Sequence, residues 1–131
     1  MQFVVFKLGG ESFAINTNKV QNISEMIAIT TVPKSPEYIK GLINLRGNIK
    51  PLVDIRMLLN ILDENETENI IILKIGDEEV GIAVDRVIEV LEIEEDKIQS
   101  LENKTKDYIR GVVNIDSDII TIIDVDKILS K

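Results

Sequence analysis

The sequence predicts an all-β protein made of two copies of one small module, each a five-stranded, partly open β-barrel with short helical segments. Most of the apolar residues are isoleucine, valine and leucine, whereas aromatic residues make up only 4% of the chain. Stiff, branched side chains of this kind pack well on pleated strands. Short apolar runs alternate with tight-turn residues, which is typical of small barrels. Finally, the second half of the sequence repeats the first.

The repeat is clearest between segments 38–59 and 108–129, where 7 of 22 aligned positions are identical. The identical pairs are Tyr38/Tyr108, Ile39/Ile109, Gly41/Gly111, Asn44/Asn114, Ile49/Ile119, Asp54/Asp124 and Leu59/Leu129. Segment 3–15 matches 70–82 at a slightly different offset, and Val20 then pairs with Val87. Each unit is about 67–70 residues long, which is small for a separate core. We therefore expect the two units to pack together and to bury a further apolar layer between them.

The first element of each unit is a β-hairpin around a glycine turn, because two apolar runs flank Gly9-Gly10 and again Gly76-Asp77. The predicted hairpin strands are 3–8 and 12–15 in the first unit, and 70–75 and 80–84 in the second. A strand over residues 23–31 follows, with alternating apolar positions.

Two prolines, Pro33 and Pro36, then interrupt regular structure, because each fixes φ and lacks an N–H donor. The remaining predicted elements of the first unit are a helical turn at 38–40 ended by Gly41, a strand at 42–45, a turn at 46–48, a strand at 49–55, a helix at 57–62 and a linker at 63–66. The matching helix of the second unit is predicted at 126–129. The chain is thus predicted to form one domain over 1–131, with a first lobe in 1–66 and a second in 67–131. The prediction leaves open whether the N-terminal strand belongs to the first lobe or crosses into the second.

Composition and charge exclude several classes of function. The net charge is −8, so nucleic acid and anionic membranes are unsuitable partners. The chain has neither Cys nor His, which removes thiolate chemistry and the commonest general base and metal ligand. We therefore expect no metal and no cofactor. The sequence has no signal-peptide pattern and no apolar run of about 20 residues, so we expect a cytoplasmic protein without direct membrane insertion.

The carboxylates do not form a catalytic pattern. Asp54 and Asp124 occupy the same position of the repeat, after a strand and before a helix, and each is interpreted as a helix cap. An alternative is a response-regulator receiver domain phosphorylated at Asp54, because residues 52–57 resemble the strand end that carries the acceptor aspartate. A receiver also needs acidic residues after its first strand and amphipathic helices between its strands. This sequence has a lone Glu11 there and few stretches long enough for such helices.

The segment YIKGLINLRGNIKPLVDIR, residues 38–56, resembles the signature of the CheW family of bacterial chemotaxis coupling proteins. LGGESFAINTNKVQNI at 8–23 and IAVDRVIEVLEI at 82–93 are similar to further segments of that family, so the resemblance covers essentially the whole chain. It implies two SH3-like barrels in a non-enzymatic adaptor that links chemoreceptors to a CheA-type histidine kinase. It also implies that the kinase's regulatory domain, of the same architecture, pairs with it barrel against barrel, and that receptor tips dock between the lobes. A detached regulatory module of a kinase or of a larger adaptor is a further alternative.

The resemblance also implies which residues bind partners. The candidates for receptor binding, all around one groove, are Arg46, Lys40, Asn22 and Gly47. In the repeat, Arg46 becomes Asp116 and Gly47 becomes Ser117, which favours a role specific to the first lobe over a packing requirement of both. The family usually has Glu where this chain has Asn22, so the geometry around Arg46 is left open.

Two further groups of residues complete the candidate site. Val20 and Ile23, aliphatic residues on a predicted edge strand, are the candidates for kinase binding, with plain core packing as the alternative. Gly41 and Asn44 are kept in the repeat as Gly111 and Asn114. These four are therefore interpreted as turn residues that the backbone of both lobes requires.

Overall fold

Ten strands and two short helices form most of the regular structure of the described residues, which are 1–62, 65–100 and 106–129 of a computed structural model. The strands are β1 Gln2–Leu8, β2 Glu11–Asn16, β3 Val20–Glu25, β4 Ile39–Leu45, β5 Asn48–Asp54, β6 Asn69–Ile75, β7 Glu78–Val84, β8 Arg86–Glu92, β9 Ile109–Ile115 and β10 Asp118–Ile123. The helices are α1 Ile55–Leu58 and α2 Val125–Leu129, with single 3₁₀ turns at Thr17–Lys19 and Glu95–Lys97.

The strands form two five-stranded sheets with the same order. One sheet has the order β3-β6-β7-β5-β4 and is called the first lobe; the other has the order β8-β1-β2-β10-β9 and is called the second lobe. In each lobe the hairpin strand pairs in parallel with the strand that precedes the helix, β7 with β5 and β2 with β10, and the other neighbours are antiparallel. The predicted pair of five-stranded lobes with short helices is confirmed.

The lobes do not divide the chain at residue 66, and this part of the prediction is corrected. The first lobe is the continuous stretch from β3 to β7, whereas the second combines β1 and β2 with β8, β9 and β10. The whole N-terminal hairpin, rather than one strand, therefore crosses into the other lobe. The 3₁₀ turn Thr17–Lys19 carries the chain from one sheet to the other. Because β1 is buried on both faces at four consecutive positions, it needs a central place in a sheet, and β6 fills the same place in the first lobe.

Both lobes curl without closing a continuous ladder. The chain beyond β3 contacts β4 through an isolated bridge between Thr30 and Leu42, and the chain beyond β8 contacts β9 through a bridge between Gln99 and Val112. The two sheets are thus partly open barrels, as the turn pattern predicts.

Three apolar clusters hold the molecule together. One lies inside each lobe, around Leu52 and Ile70 in the first and around Phe3 and Ile122 in the second. The third contains side chains of both lobes, including Phe6, Phe13 and Ile82, and lies between them. This is the further layer expected for two units too small to be stable separately.

Several predicted local elements differ from the structure. The strand predicted at 23–31 begins at Val20 and ends at Glu25. The predicted helical turn at 38–40 is wrong, because a turn with a hydrogen bond from Ile39 N to Pro36 O leads directly into β4 at Ile39. The helices begin earlier than predicted, at Ile55 and Val125. The linker prediction falls partly on residues 63–64, which lie outside the described residues.

Candidate protein-docking site

The tip of the β4–β5 hairpin presents Arg46. Arg46 and Gly47 have φ values of 56° and 84° between the paired residues Leu45 and Asn48, as in a two-residue type I′ turn. The turn therefore centres on residues 46–47, whereas the prediction extended it to Asn48. The Oδ1 atom of Asn44 accepts a hydrogen bond from Gly47 N at 2.9 Å. Asn44 thus supports the turn from within the strand.

The equivalent tip of the second lobe has the same backbone but other side chains. Asp116 and Ser117 have φ values of 50° and 68°. Aspartate is among the residues that tolerate positive φ, whereas a long side chain such as that of Arg46 is uncommon there. The first lobe therefore carries an arginine at a position where the backbone favours a different residue.

Arg46 and Asn22 line one polar cleft at the open end of the first lobe, which we call the Arg46 cleft. Its volume is about 290 Å³. It is lined by Gln21, Asn22, Leu45, Arg46, Asn48, Lys50, Ile72 and Glu79. Lys50 Nζ and Glu79 Oε1 form an ion pair at 3.0 Å, and Asn22 Oδ1 accepts from Ile23 N at 2.9 Å. The Arg46 guanidinium, which is exposed, makes no ion pair or hydrogen bond with any described residue.

Lys40 does not lie with Arg46, and this prediction is corrected. Lys40 lies near the start of β4 and Arg46 directly follows its end, so the strand separates them by about 20 Å at a rise of roughly 3.3 Å per residue. The family resemblance implied that Lys40 and Arg46 flank one groove. Lys40 is instead next to Ile39, which lines a different surface.

That second surface is an apolar groove between the lobes, which we call the interlobe groove. Its volume is about 260 Å³. It is lined by Tyr38, Ile39, Pro51, Val53, Leu58, Val80, Ile128 and Leu129. None of these residues was predicted as a docking residue. The groove is formed by β4, β5 and β7 of the first lobe together with the C-terminal helix α2, so no local sequence pattern predicts it.

The two surfaces lie on opposite faces of the first lobe. Lys50 and Pro51 are neighbours on β5, and Glu79 and Val80 are neighbours on β7. Successive side chains of a strand point to opposite faces, so the Arg46 cleft takes one member of each pair and the interlobe groove takes the other. A single strand pair therefore shapes both surfaces.

At two positions of the groove, the second lobe has more deeply buried side chains. Its counterpart of Val80 is Phe13, which is buried and stacks on Phe6 with ring centroids 6.1 Å apart. The counterpart of Tyr38 is Tyr108, which is more buried. Burial, together with the negative charge of Asp107, raises the pKa of Tyr108 above its ordinary value. The second lobe thus buries both of these positions more deeply than the first lobe does.

The predicted edge-strand residues take different positions. β3 is an edge strand of the first lobe. Val20 packs against the interlobe core, whereas Ile23 is 37% exposed. On the equivalent edge strand β8, Val90 is 51% exposed. The structure therefore leaves Ile23, but not Val20, on an accessible edge of the first lobe.

The two repeat-conserved aspartates lie at the beginning of the helices. Asp54 Oδ1 accepts from Arg56 N at 3.1 Å, and Asp124 Oδ1 accepts from Asp126 N at 3.1 Å. Arg56, which sequence reasoning missed, is buried between the carboxylates of Asp54 and Asp85, at 3.4 and 3.8 Å. Its Nη1 also donates to Asn65 O at 2.8 Å, so it fastens the segment between the repeats.

Gly41 and Gly111 lie where a second segment crosses very close to the strand. A Cβ atom on Gly41 would lie 2.3 Å from Thr30 O, and one on Gly111 would lie 2.5 Å from Gln99 O. Only Gly41 also has a positive φ, 152°. The requirement common to both lobes is therefore close approach, and not the shared backbone conformation that the repeat suggested. Asn114 sits in β9 at the position of Asn44 in β4.

The described part of the chain contains no group of three acidic residues arranged to hold a metal ion. No helix within the described ranges is long and apolar enough to cross a bilayer. The receiver interpretation is wrong, because the strands form two largely antiparallel sheets and Asp54 caps a helix beside a buried arginine.

The two partly open barrels carry a polar cleft on the first lobe and an apolar groove between the lobes, which are surfaces of the kind that protein partners use. The family model described as the CheW-like domain matches residues 2–131. The chain therefore belongs to the CheW-like family, and it is a scaffold or adaptor of chemotaxis.

Individual proteins show the same relationship. The chain is 35% identical to the chemotaxis protein CheW of Thermotoga maritima, over 96% of this chain and 85% of that protein. It is 33% identical to chemotaxis protein CheW of Bacillus subtilis, over 99% and 87%. The crystal structure of the scaffolding protein TtCheW from Thermoanaerobacter tengcongensis is similar with a TM-score of 0.87 and 32% identity, covering 97% of this chain and 86% of that one.

Proposed function

We propose that this chain couples the cytoplasmic tips of chemoreceptors to the regulatory domain of a CheA-type histidine kinase, without chemistry of its own. It works in the cytoplasm and reaches membrane receptor arrays through these partners. The observation that carries the proposal is the interlobe groove, an open apolar surface with two lining positions whose counterparts in the other lobe carry more buried side chains. Duplicated folds need the same core in both copies, so a difference confined to the surface indicates binding.

The groove suits a receptor tip, which we take to present apolar side chains at its end. The lining is almost wholly apolar, and its volume of about 260 Å³ accommodates one or two bulky side chains. Buried apolar anchors of this kind supply most of the free energy of protein association.

The edge strand β3 is the proposed binding surface for the kinase. Its outer edge, which pairs with no described strand of the sheet, and the exposed Ile23 offer a partner barrel an apolar contact. Val20 contributes indirectly, because it packs into the interlobe core and holds β3 in place. The receptor and the kinase therefore use different surfaces of the first lobe.

The test measures the binding of the receptor fragment and of the kinase regulatory domain separately. The variant Val80→Phe places in the groove the aromatic ring that Phe13 provides in the second lobe. We expect it to weaken binding of a purified receptor cytoplasmic fragment about tenfold or more, because the anchor pocket is filled. Binding of the kinase regulatory domain should remain as in the wild type. Ile119→Phe is the matched control, since Ile119 is 61% exposed on the second lobe.

Two results would contradict the proposal. If the wild-type chain binds neither the receptor fragment nor the kinase domain, the coupling function is wrong. If Val80→Phe binds the receptor as strongly as Ile119→Phe does, the receptor uses another surface.

A further inference from the structure

We infer that Asp85 and Arg56 form a polar clamp that holds the two lobes in one relative orientation and thereby positions the interlobe groove for its partner. Asp85 follows β7 of the first lobe and precedes β8 of the second, so it lies where the chain crosses between the sheets. Arg56 belongs to α1, directly after the first-lobe strand β5. Holding the lobes is a property of the fold alone, whereas positioning the groove rests on the proposed function.

The carboxylate of Asp85 contacts both lobes. Its Oδ2 atom accepts a hydrogen bond from Gly9 N at 2.9 Å, in the turn between β1 and β2 of the second lobe. Its Oδ1 atom lies 3.8 Å from Nη1 of Arg56. The backbone N–H of Asp85 also donates to Lys7 O of β1 at 3.1 Å. Because the Asp85 side chain is only 12% exposed, solvent screens its interactions weakly. One side chain thus ties the N-terminal hairpin to the end of the first-lobe sheet.

Arg56 connects this carboxylate to the wall of the interlobe groove. Its Nε atom lies 3.4 Å from Oδ1 of Asp54, the residue that caps α1. A guanidinium can hold two carboxylates because its N–H groups point in several directions within one plane. Val53, next to Asp54, and Leu58 of α1 line the groove. A shift of α1 against the second lobe would therefore change the shape of the groove.

The chain also crosses between the sheets at the 3₁₀ turn between β2 and β3, where the ion pair is of a different kind. Asn18 and Asp126 occupy the positions that match Asp85 and Arg56 in the repeat. Asp126 pairs with Lys19 at 2.7 Å, and both side chains are more than a third exposed. Exposed ion pairs contribute little to stability, whereas separating a buried charge from its partners is costly. The buried clamp therefore restrains the lobes more firmly than the exposed pair does.

Spin labels on the two lobes test the clamp directly. The chain has no Cys, so Ile49→Cys and Ile119→Cys introduce two unique thiols for labelling. These isoleucines are equivalent in the repeat, lie in β5 and β10, and are 58% and 61% exposed. The decisive variant is Asp85→Asn, which removes the charge but keeps nearly the same shape. In pulsed electron paramagnetic resonance without any partner, we expect its label-to-label distance distribution to be about twofold wider, because the lobes then rotate against each other.

Asp126→Asn is the matched control, since it makes the same change at the exposed ion pair. Its distance distribution should match that of the labelled parent, because an exposed pair restrains little. If Asp85→Asn does not fold, as judged by circular dichroism, Arg56→Lys replaces it. That variant keeps the positive charge but loses the planar guanidinium that reaches both carboxylates, so it should widen the distribution in the same way.

Receptor binding tests whether the clamp positions the groove. In the unlabelled chain, Asp85→Asn should lower the affinity for a purified receptor cytoplasmic fragment about fivefold, because only some molecules then present the groove in the orientation that binds. Asp126→Asn should bind as the wild type does. Neither Asp85 nor Arg56 lines the groove, so a purely structural role would leave the affinity of the folded variant unchanged.

The outcomes separate the clamp from the proposed function. If the distances in Asp85→Asn are as narrowly distributed as in Asp126→Asn, or if both variants widen them equally, the clamp is wrong. If Asp85→Asn widens the distribution but binds the receptor fragment as the wild type does, the clamp does not position the groove. If the wild type itself does not bind the fragment, the proposed function fails, and the distances alone decide whether the clamp holds the lobes.

Discussion

The two lobes share a strand order and a pattern of pairing, yet they differ at nearly every surface feature that suits a partner. The first lobe has Arg46 at its hairpin tip and Val80 in an open groove; the second has Asp116 and the buried Phe13 in those places. The features common to both are glycines at close approaches, aspartate caps and turns with positive φ. The comparison teaches that the repeat retains what folding requires, and that binding is to be sought where the copies disagree.

The largest expected effect concerns the exchange of hairpins between the lobes. Cutting the chain between residues 62 and 65 leaves an N-terminal fragment without β6 and β7, which are two of the five strands of its own sheet. Neither fragment should fold alone, because each lacks paired strands and most of the interlobe core. The two fragments mixed together should recover the native circular dichroism spectrum. A folded N-terminal fragment by itself would contradict the interleaved arrangement.

The next largest effect is expected at the two glycines that a second segment approaches closely, one in each lobe. Gly41→Ala should lower the free energy of unfolding by about 4 kcal/mol, because a Cβ would clash with Thr30 O and the φ is unfavourable. Gly111→Ala should cost about 2 kcal/mol, from the clash alone. Urea unfolding measures both. Gly10→Ala is the control, since its φ is positive but no atom lies within 4 Å of the added Cβ. If Gly10→Ala destabilises the protein as much as Gly41→Ala, close approach is not the cause.

A third effect tests a difference between the lobes in their ion pairs. Arg56→Met should lower the free energy of unfolding by about 3 kcal/mol, because it removes a buried cation from the half-buried carboxylates of Asp54 and Asp85. At the repeat-equivalent position Asp126 pairs with Lys19 at 2.7 Å, and both side chains are more than a third exposed. Lys19→Met should therefore cost less than about 1 kcal/mol. Equal losses in urea unfolding would show that burial does not distinguish the two pairs.

How far the sequence predicts the molecule depends on whether a feature is local. Gly41, Asp54 and their counterparts were identified from the repeat, because a turn, a cap or a close approach restricts the residue at that position. The exchange of hairpins was not predictable, since both sheets offer the same kind of place to an apolar hairpin. The resemblance implied docking between the lobes, but the lining residues of the interlobe groove were missed because Val80 and Ile128 come together only in the folded chain. Lys40 was placed with Arg46 by the family resemblance alone, whereas most of β4 separates the two residues.

The smallest expected effect on stability concerns the hairpin tips, where the first lobe has Arg46 and the second has Asp116. Arg46→Asn replaces an arginine at φ 56° with a residue that tolerates this region, so the melting temperature should stay the same or rise slightly. The reciprocal variant Asp116→Arg should lower the free energy of unfolding by about 0.5–1 kcal/mol, since it introduces at φ 50° the strain that the first lobe bears. Thermal melts followed by circular dichroism measure both. Assembly with receptor fragment and kinase should weaken in Arg46→Asn and remain unchanged in Asp116→Arg. If Arg46→Asn instead unfolds the first lobe, Arg46 is a structural residue, and the strain at its turn has no role in binding.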